Sequence, residues 1–302
     1  MLKTSLRYFS SVASSGSIRA ASAALNVAQS AVSRQLQSLE FELGMELFDR
    51  HSRGVALTEA GQLLFTFTKN TMLDVDRLRS ELDELLGLER GHVRICAIET
   101  MVHYILPRAL MSFQSLYPGI TYSVTIATTD EVVQAVQVGQ ADLGLGFSPI
   151  VDADIRLLYE RVEPLLAVMS PMHPLAPKEQ VSIIEVARYP VALSPSRSGA
   201  RIVIDRACRN AGIKFTPQLE TNSVELLHRF ATLGGCVAPL LRHTVSQSMD
   251  SGQLRVVPFN DPEIAGTVTI MALEGRSLPL AAEKMAGVIA HQLDATSQTH
   301  RP

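Results

Sequence analysis

The stretch that decides the fold is residues 16–61, GSIRAASAALNVAQSAVSRQLQSLEFELGMELFDRHSRGVALTEAG. Before it, apolar residues from Leu2 to Ala13 recur at helical spacing, and Gly16 ends that helix. Ser17 is predicted to cap a second helix, and a tight turn at Asn26–Val27 leads into a third helix over residues 29–43, ended by Gly44. The apolar segments 47–48 and 55–57 then flank a Gly-containing turn, which predicts a β-hairpin.

The third helix has two opposed faces. At about 100° per residue, one narrow sector is apolar and is predicted to lie in the core; it holds Val32, Leu36, Leu39 and Leu43. The opposite sector holds Ser30, Ser33, Arg34 and Gln37. These short or hydrogen-bonding side chains suit a close-fitting groove. An ordinary amphipathic surface helix would show the same pattern, so this helix alone leaves both interpretations open.

A long helix is predicted over residues 59–89, and it carries an apolar seam. The spacings along the seam average 3.5 residues, the heptad period of paired helices; its members are Leu64, Phe67, Thr71, Val75, Leu78, Leu82 and Leu85. We expect this helix to form a dimer. The alternative is that the seam packs on another part of the same chain.

From Gly91 onward, predicted strands alternate with helices, which is typical of parallel sheets with right-handed crossovers. Strands are expected at 92–98, 120–127 and 142–147, and the first connecting helix at 101–116. A second such unit begins after Pro164, and the chain ends with a strand at 268–273 and a helix at 280–293. Two connections between these units are expected, near 163–164 and 261–266.

Composition and charge exclude several classes of protein. The 302 residues carry 27 Lys and Arg against 30 Asp and Glu, so neither a polycation nor an acidic disordered chain is present. The first 61 residues hold six basic and five acidic side chains, which is compatible with a small, oriented nucleic-acid patch. No apolar run reaches the roughly 18 residues that span a bilayer, and no secretory signal is evident. We therefore expect a cytoplasmic protein without membrane contact.

Residues 16–61 closely resemble the winged helix-turn-helix of the LysR-type transcriptional regulators. Shorter motifs agree: Leu106-Pro107, FQSLYPGI (113–120), GQADLGL (139–145), HPLA (173–176) and Gly234-Gly235. The resemblance covers about residues 1–293. The chain departs from the family pattern at Ala28, where Ser or Thr commonly caps the third helix, at Ser30, where Pro is common, and at Pro239, which comes earlier than usual.

The resemblance implies an α+β multidomain architecture. It comprises a winged helix-turn-helix DNA-binding domain (1–61), a linker and dimerisation helix (62–90), and a two-subdomain α/β effector domain (91–302) like type-2 periplasmic binding proteins. Subdomain I would hold 91–163 and 267–302, and subdomain II 164–266. Such regulators act as homodimers or homotetramers on inverted repeats in double-stranded DNA, and activators also contact RNA polymerase. No cofactor or metal is expected, only a small-molecule co-inducer or co-repressor.

The same resemblance places the third helix in the major groove. The residues carried over as DNA-binding are Gln29, Ser30, Ser33, Arg34 and Gln37, with Arg50 and Arg53 on the wing. Arg34 can donate to guanine or phosphate and the glutamines can recognise adenine, whereas the wing arginines hold backbone or minor groove.

The family's effector cleft lies at strand C-termini and helix N-termini, where free N–H groups favour anions. The predicted effector-binding residues are Thr100, Met101, Thr129, Ser148, Ser196, Arg201 and Asn222. Arg201 is a candidate carboxylate partner, while each hydroxyl is also explained as a plain helix cap. Glu99 disfavours a simple anionic ligand unless it is protonated or paired, so the charge of the effector stays open.

Three other functions compete with this interpretation. A thiol redox regulator of the same family would need a reactive cysteine and a resolving partner. Cys208 lies inside a predicted helix and Cys236 in a predicted apolar strand, where buried, inert thiols are expected, and Cys96 is distant from both in sequence. An enzyme would carry a local signature such as G-x-S-x-G or H-E-x-x-H, and none occurs. A solute-binding protein is opposed by the missing export signal and by sixty residues of DNA-binding sequence.

Overall fold

A computed structural model describes residues 4–51, 54–84, 91–245 and 251–298. The chain divides into two compact units between Leu82 and Asp83. Within the described residues, none of the helices is both long and apolar enough to cross a bilayer.

Three helices, a hairpin and a long helix form the N-terminal unit: α1 (Thr4–Ser15), α2 (Ile18–Leu25), α3 (Gln29–Leu43), β1 (Phe48–His51), β2 (Gly54–Leu57) and α4 (Glu59–Glu84). The order matches the prediction from sequence. The buried side chains come from each of the first three helices, from the residue before the hairpin and from the first residue of β1: Phe9, Val12, Ala21, Val32, Leu36, Leu39, Leu47 and Phe48. These contacts hold α3 against α1 and α2 by its apolar face.

The ends of α2 and α3 follow the predicted capping pattern. The Ser17 hydroxyl accepts a hydrogen bond from Ala20 N, and Gly44 ends α3 at φ 67°, a left-handed conformation that favours glycine. Leu43, predicted in the core, is instead 47% exposed. The chain reverses at Gly44, and Leu47 fills the core in its place at 1% exposure.

The N-cap position of α3 has no side-chain hydrogen bond, because Ala28 occupies it and alanine has no side-chain acceptor. Ala28 has extended φ and ψ of −67° and 141°, and the nearby Asn26 serves as the C-cap of α2.

We therefore expect Ala28→Ser to stabilise the protein, because a serine hydroxyl at this extended N-cap can accept from the first free N–H groups of α3. The gain should be about 0.5–2 kcal/mol. Differential scanning calorimetry of the full chain measures it, with Ala28→Val as a control of altered size but no acceptor. Equal unfolding temperatures for the serine and valine variants would contradict the capping argument.

The hairpin pairs β1 with β2 antiparallel, from Phe48 opposite Leu57 to His51 opposite Gly54. Arg50 lies in β1 opposite Val55. Residues 52 and 53, with Arg53 of the predicted wing contacts, lie outside the described residues.

Helix α4 contains all of the predicted seam except Leu85, which lies outside the described residues. Leu64 packs against the core of the N-terminal unit, which fits the alternative that the seam contacts its own chain. Thr71 and Val75 are half-buried. Phe67, Leu78 and Leu82 are 60%, 53% and 52% exposed, so this part of the seam keeps apolar area available to a partner.

The C-terminal unit holds the remaining elements: β3 (Gly91–Ala97), α5 (Ile105–Leu116), β4 (Ile120–Ile126), α6 (Thr129–Gln137), β5 (Leu143–Phe147), β6 (Ile155–Met169), α7 (Ile183–Val186), β7 (Ala192–Leu193), α8 (Gly199–Asn210), β8 (Leu219–Glu220), α9 (Val224–Thr232), β9 (Ala238–Leu241), β10 (Arg255–Pro258), β11 (Ala265–Leu273) and α10 (Leu280–Gln298). The main sheet has the order β10-β6-β11-β5-β3-β4, with β9 beside β6. Strand β3 pairs parallel with β4 and β5, as the alternating pattern predicts.

Strand β6 runs through both halves of this unit. Its first part pairs antiparallel with β11 as far as Pro164, and the part from Leu165 pairs with β9 and β10. The alternating pattern predicts a second unit that begins after Pro164, whereas β6 already starts at Ile155 and continues through that position. Proline is tolerated at position 164 because the strand changes partners there.

The predicted helix over 101–116 starts four residues later than expected. Glu99–Met101 forms one 3-10 turn and α5 begins at Ile105. Pro107 explains the difference: in α5 it falls in the first turn, where its missing N–H is not needed, whereas in a helix from Met101 it would clash with the carbonyl of His103.

Candidate functional site

The face of α3 opposite the core carries the predicted DNA-binding side chains in one group. Gln29, Ser30, Arg34 and Gln37 are exposed, and Ser33 is half-buried. Arg34 Nε donates to Ser30 O over 3.3 Å, so its guanidinium lies along the helix it belongs to. The group offers serine hydroxyls, glutamine amides and one cation on a helix whose apolar face is packed, a donor set suited to base edges and phosphates.

A second candidate site is a cavity of about 250 Å³ in the C-terminal unit. Its lining comes from the ends of β3, β4 and β5 on one side and from the starts of α8 and α9 with the end of β9 on the other. The apolar part of the lining includes Ile98, Ile126, Phe147, Leu165 and Val224. The cavity therefore lies where the two halves of this unit face each other.

Three of the seven predicted effector residues line this cavity: Thr100, Thr129 and Asn222. The Oγ1 atom of Thr100 is buried and has no hydrogen-bond partner within the described part of the chain. A buried hydroxyl without a partner is costly. The atom is closed off from solvent, so a molecule in the cavity would reach it only after the Thr100 side chain turns.

The structure does not bring the other four predicted residues to the cavity. Met101 is fully buried, and Ser196 is exposed while its neighbours Pro195 and Arg197 line the site. The Ser148 hydroxyl accepts from Thr267 N over 3.1 Å, which ties the end of β5 to β11.

Arg201, the predicted carboxylate partner, is occupied by this chain's own acids. Its guanidinium donates to Asp205 at 2.8 Å and to Glu220 at 3.0 Å. Burial alone would lower the pKa of Arg201, but these two carboxylates raise it, so the side chain is held as a paired cation. It therefore braces the start of α8 against β8.

Glu99 has a role that the sequence did not reveal. It lines the cavity and accepts hydrogen bonds from Val224 N at 2.8 Å, Glu225 N at 3.3 Å and the Ser223 hydroxyl at 3.4 Å. These partners stand more than 120 positions away along the chain. The Glu99 carboxylate thus joins the end of β3 to the first turn of α9.

Close backbone approach also shapes the cavity. A Cβ on Gly199 would stand 1.8 Å from the carbonyl oxygen of Phe147, so α8 can start here only with glycine unless the backbone moves. Since both residues line the cavity, this contact sets the distance between its two walls.

A buried charged cluster lies where β6 changes partners. Glu163 Oε2 accepts from Arg161 at 2.9 Å, and Glu163 Oε1 lies 3.2 Å from His243 Nδ1. Burial by itself raises the pKa of Glu163, but His243 and Arg161 outweigh it and hold that pKa below its usual range.

The three cysteines are buried and unpaired with one another. Burial raises the pKa of the Cys208 thiol to about 11 and that of Cys236 to about 12, and it also raises the pKa of Cys96. Such thiols carry little thiolate near neutral pH and react slowly. The described residues also contain no group of three or more His, Cys, Asp or Glu that could hold a metal ion.

Comparisons with known proteins match both parts of the chain. The model of the bacterial regulatory helix-turn-helix protein, lysR family, covers residues 4–62, and the LysR substrate-binding domain covers residues 86–294. The HTH-type transcriptional activator CmpR of Synechocystis sp. is 29% identical over 75% of this chain and 74% of its own length. A probable RuBisCO transcriptional regulator of the same organism is 28% identical over 88% of this chain and 79% of its own.

Among solved structures, full-length OxyR from Pseudomonas aeruginosa superposes with a TM-score of 0.74 at 20% identity, covering 97% of this chain and 94% of that one. This likeness concerns the fold. The two family models together span nearly the whole chain, with the helix-turn-helix model on the α3 face and the substrate-binding model on the cavity. The chain therefore belongs to the LysR family of DNA-binding transcriptional regulators, with an N-terminal helix-turn-helix and a C-terminal effector-binding domain.

Proposed function

We propose that the exposed face of α3 recognises an inverted repeat in double-stranded DNA, and that a small molecule in the cavity controls this binding. The observation that carries the proposal is the grouping of Gln29, Ser30, Ser33, Arg34 and Gln37 on the side of α3 away from its packed leucines. The Arg50 and Arg53 side chains would contact the backbone or minor groove and position the helix without specifying bases.

Substitution of Arg34 is the most direct test, because this side chain carries the positive charge on that face of α3. Arg34→Ala should weaken binding to the preferred DNA by about 1–3 kcal/mol per half-site and reduce discrimination between sequences. The full-length protein first selects genomic fragments in vitro, and gel shifts then compare the variant with wild type on the selected fragment and on a scrambled one.

Arg7→Ala is the matched control, since it removes the same charge from an exposed position on α1. It should leave selective retention largely intact. Selective binding that survives Arg34→Ala would remove Arg34 from the recognition surface, and failure to enrich any fragment would overturn the proposal as a whole.

The ligand we propose is a co-inducer or co-repressor without a resident cofactor or metal. Thr100, Thr129 and Asn222 would bind its polar groups, while the apolar lining contacts its body. Binding would favour one arrangement of the subunits over another, which is the condition for a ligand to act at a distance. The protein would work in the cytoplasm as a homodimer or homotetramer, and it would contact RNA polymerase if it is an activator.

The proposed role is regulatory rather than catalytic, since the family consists of transcriptional regulators. A thiol redox switch is the less favoured alternative. The burial of Cys96, Cys208 and Cys236 and their raised pKa values oppose it.

A further inference from the structure

The first turn of α9 opens onto the cavity, yet its donors are already used by this chain. A helix leaves its first N–H groups without partners inside the helix, and these groups attract carboxylates. Here Val224 N and Glu225 N donate to the two oxygens of Glu99, and Leu226 N donates to the Ser223 hydroxyl over 3.3 Å. The position that an effector's carboxylate would take at this helix is filled.

The Glu99 carboxylate reaches this position from the opposite wall. Glu99 follows β3, whereas α9 belongs to the half of the unit entered after Pro164. The side chain therefore bridges the two walls in the way a bound acid would. Glu131, a second lining acid, is directed back to its own helix start, where Thr128 N donates to it over 2.8 Å.

We propose that Glu99 is the specificity-determining residue of the cavity, acting as a tethered carboxylate that replaces the acidic group of an effector at α9. The site would then take a small molecule with an apolar body that presents a hydroxyl or amine donor, rather than a carboxylate, toward Glu99. This inference rests on the proposed use of the cavity as the effector site.

The surroundings of Glu99 favour such a ligand. An acid placed beside Glu99 would meet a like charge without free N–H groups at α9 to offset it, whereas an amine or hydroxyl would donate to a carboxylate. Arg197 adds a cation to the lining, but its side chain is exposed.

The test is rescue by an added carboxylate in full-length protein. Glu99→Ala should lower the unfolding temperature, and sodium acetate should restore it in a saturable way relative to sodium chloride at equal ionic strength. Wild type should gain less from acetate, because its own carboxylate holds the position. Glu225→Ala, which removes an acid from the same helix turn without freeing N–H groups, should behave like wild type.

An equal acetate response in wild type and Glu99→Ala would overturn the proposal. If Glu99→Ala does not fold, Glu99→Gln keeps the side-chain volume and tests the ligand class directly. Calorimetry then compares cyclohexanecarboxylate with cyclohexylmethylamine. Relative to wild type, Glu99→Gln should change the ratio of the two Kd values by about tenfold in favour of the carboxylate. This is about what one charge-assisted hydrogen bond contributes. An unchanged ratio would contradict the proposed role of Glu99. The same holds if neither probe binds to wild type or to Glu99→Gln.

These measurements contain no DNA. Failure of acetate rescue with intact DNA selection would reject the role of Glu99 alone, whereas failure of DNA selection with intact rescue would reject the proposed function and leave the chemistry of the cavity standing.

Discussion

The double variant Leu78→Asp/Leu82→Asp is expected to be monomeric and to lose high-affinity binding to its inverted repeat. Both leucines lie on the seam of α4 and are about half exposed in the single chain, at 53% and 52%. Burying a leucine fully contributes about 1.5–3 kcal/mol, so a dimer that buries the remaining area of four leucines loses several kcal/mol when they are replaced. Four carboxylates in the seam would also repel each other and require desolvation.

Light scattering at micromolar concentration measures the change in mass, and gel shifts measure the change in affinity. Gln62→Asp/Thr66→Asp is the matched control. These two residues have the same four-residue spacing on α4, are exposed and lie off the seam, and the double variant adds the same charge. An intact oligomer for Leu78→Asp/Leu82→Asp would show that the dimer forms elsewhere.

The helix-turn-helix was predictable in detail because its determinants are local. The Ser17 cap, the left-handed Gly44 and the apolar sector of α3 each depend on residues within one or two turns. The prediction failed at Leu43 although the residue that replaces it in the core, Leu47, is only four positions away. A helical pattern shows which side of α3 is apolar, but it does not show that the chain reversal brings Leu47 into the space beside its last turn.

The cavity was predictable in part for a related reason. Ligands in α/β folds bind at the C-terminal ends of strands and the N-terminal ends of helices. This rule placed Thr100, Thr129 and Asn222 at the site, and all three line the cavity. Arg201 and Ser148 do not line the cavity, because their side chains are held by Glu220 and Thr267, which belong to other elements. The sequence indicated that Glu99 disfavours an anionic ligand unless it is paired. It could not identify the partner, because α9 is remote from Glu99 in sequence.

Glu163→Gln is expected to have the largest effect on stability among the single substitutions. Glu163 is 8% exposed, and its carboxylate is held between Arg161 and His243. Removing one member of a buried ion pair costs about 3–5 kcal/mol, because Arg161 would be left with the Leu293 carbonyl and the more distant carboxylate of Asp294 at 3.9 Å. For a unit of this size that lowers Tm by roughly 10 °C, measured by calorimetry at pH 7.

The pH dependence separates this charge effect from a packing defect. The pKa of Glu163 is depressed in the folded state, so its stabilisation is present above the unfolded value of about 4.3 and is lost as pH falls through the folded pKa. The difference between wild type and Glu163→Gln should therefore shrink below about pH 4. Glu225→Gln, which breaks the exposed pair with Arg229, should shift Tm only slightly. A deficit for Glu163→Gln that stays constant down to pH 3 would show that shape, and not the carboxylate charge, stabilises the point where β6 changes partners.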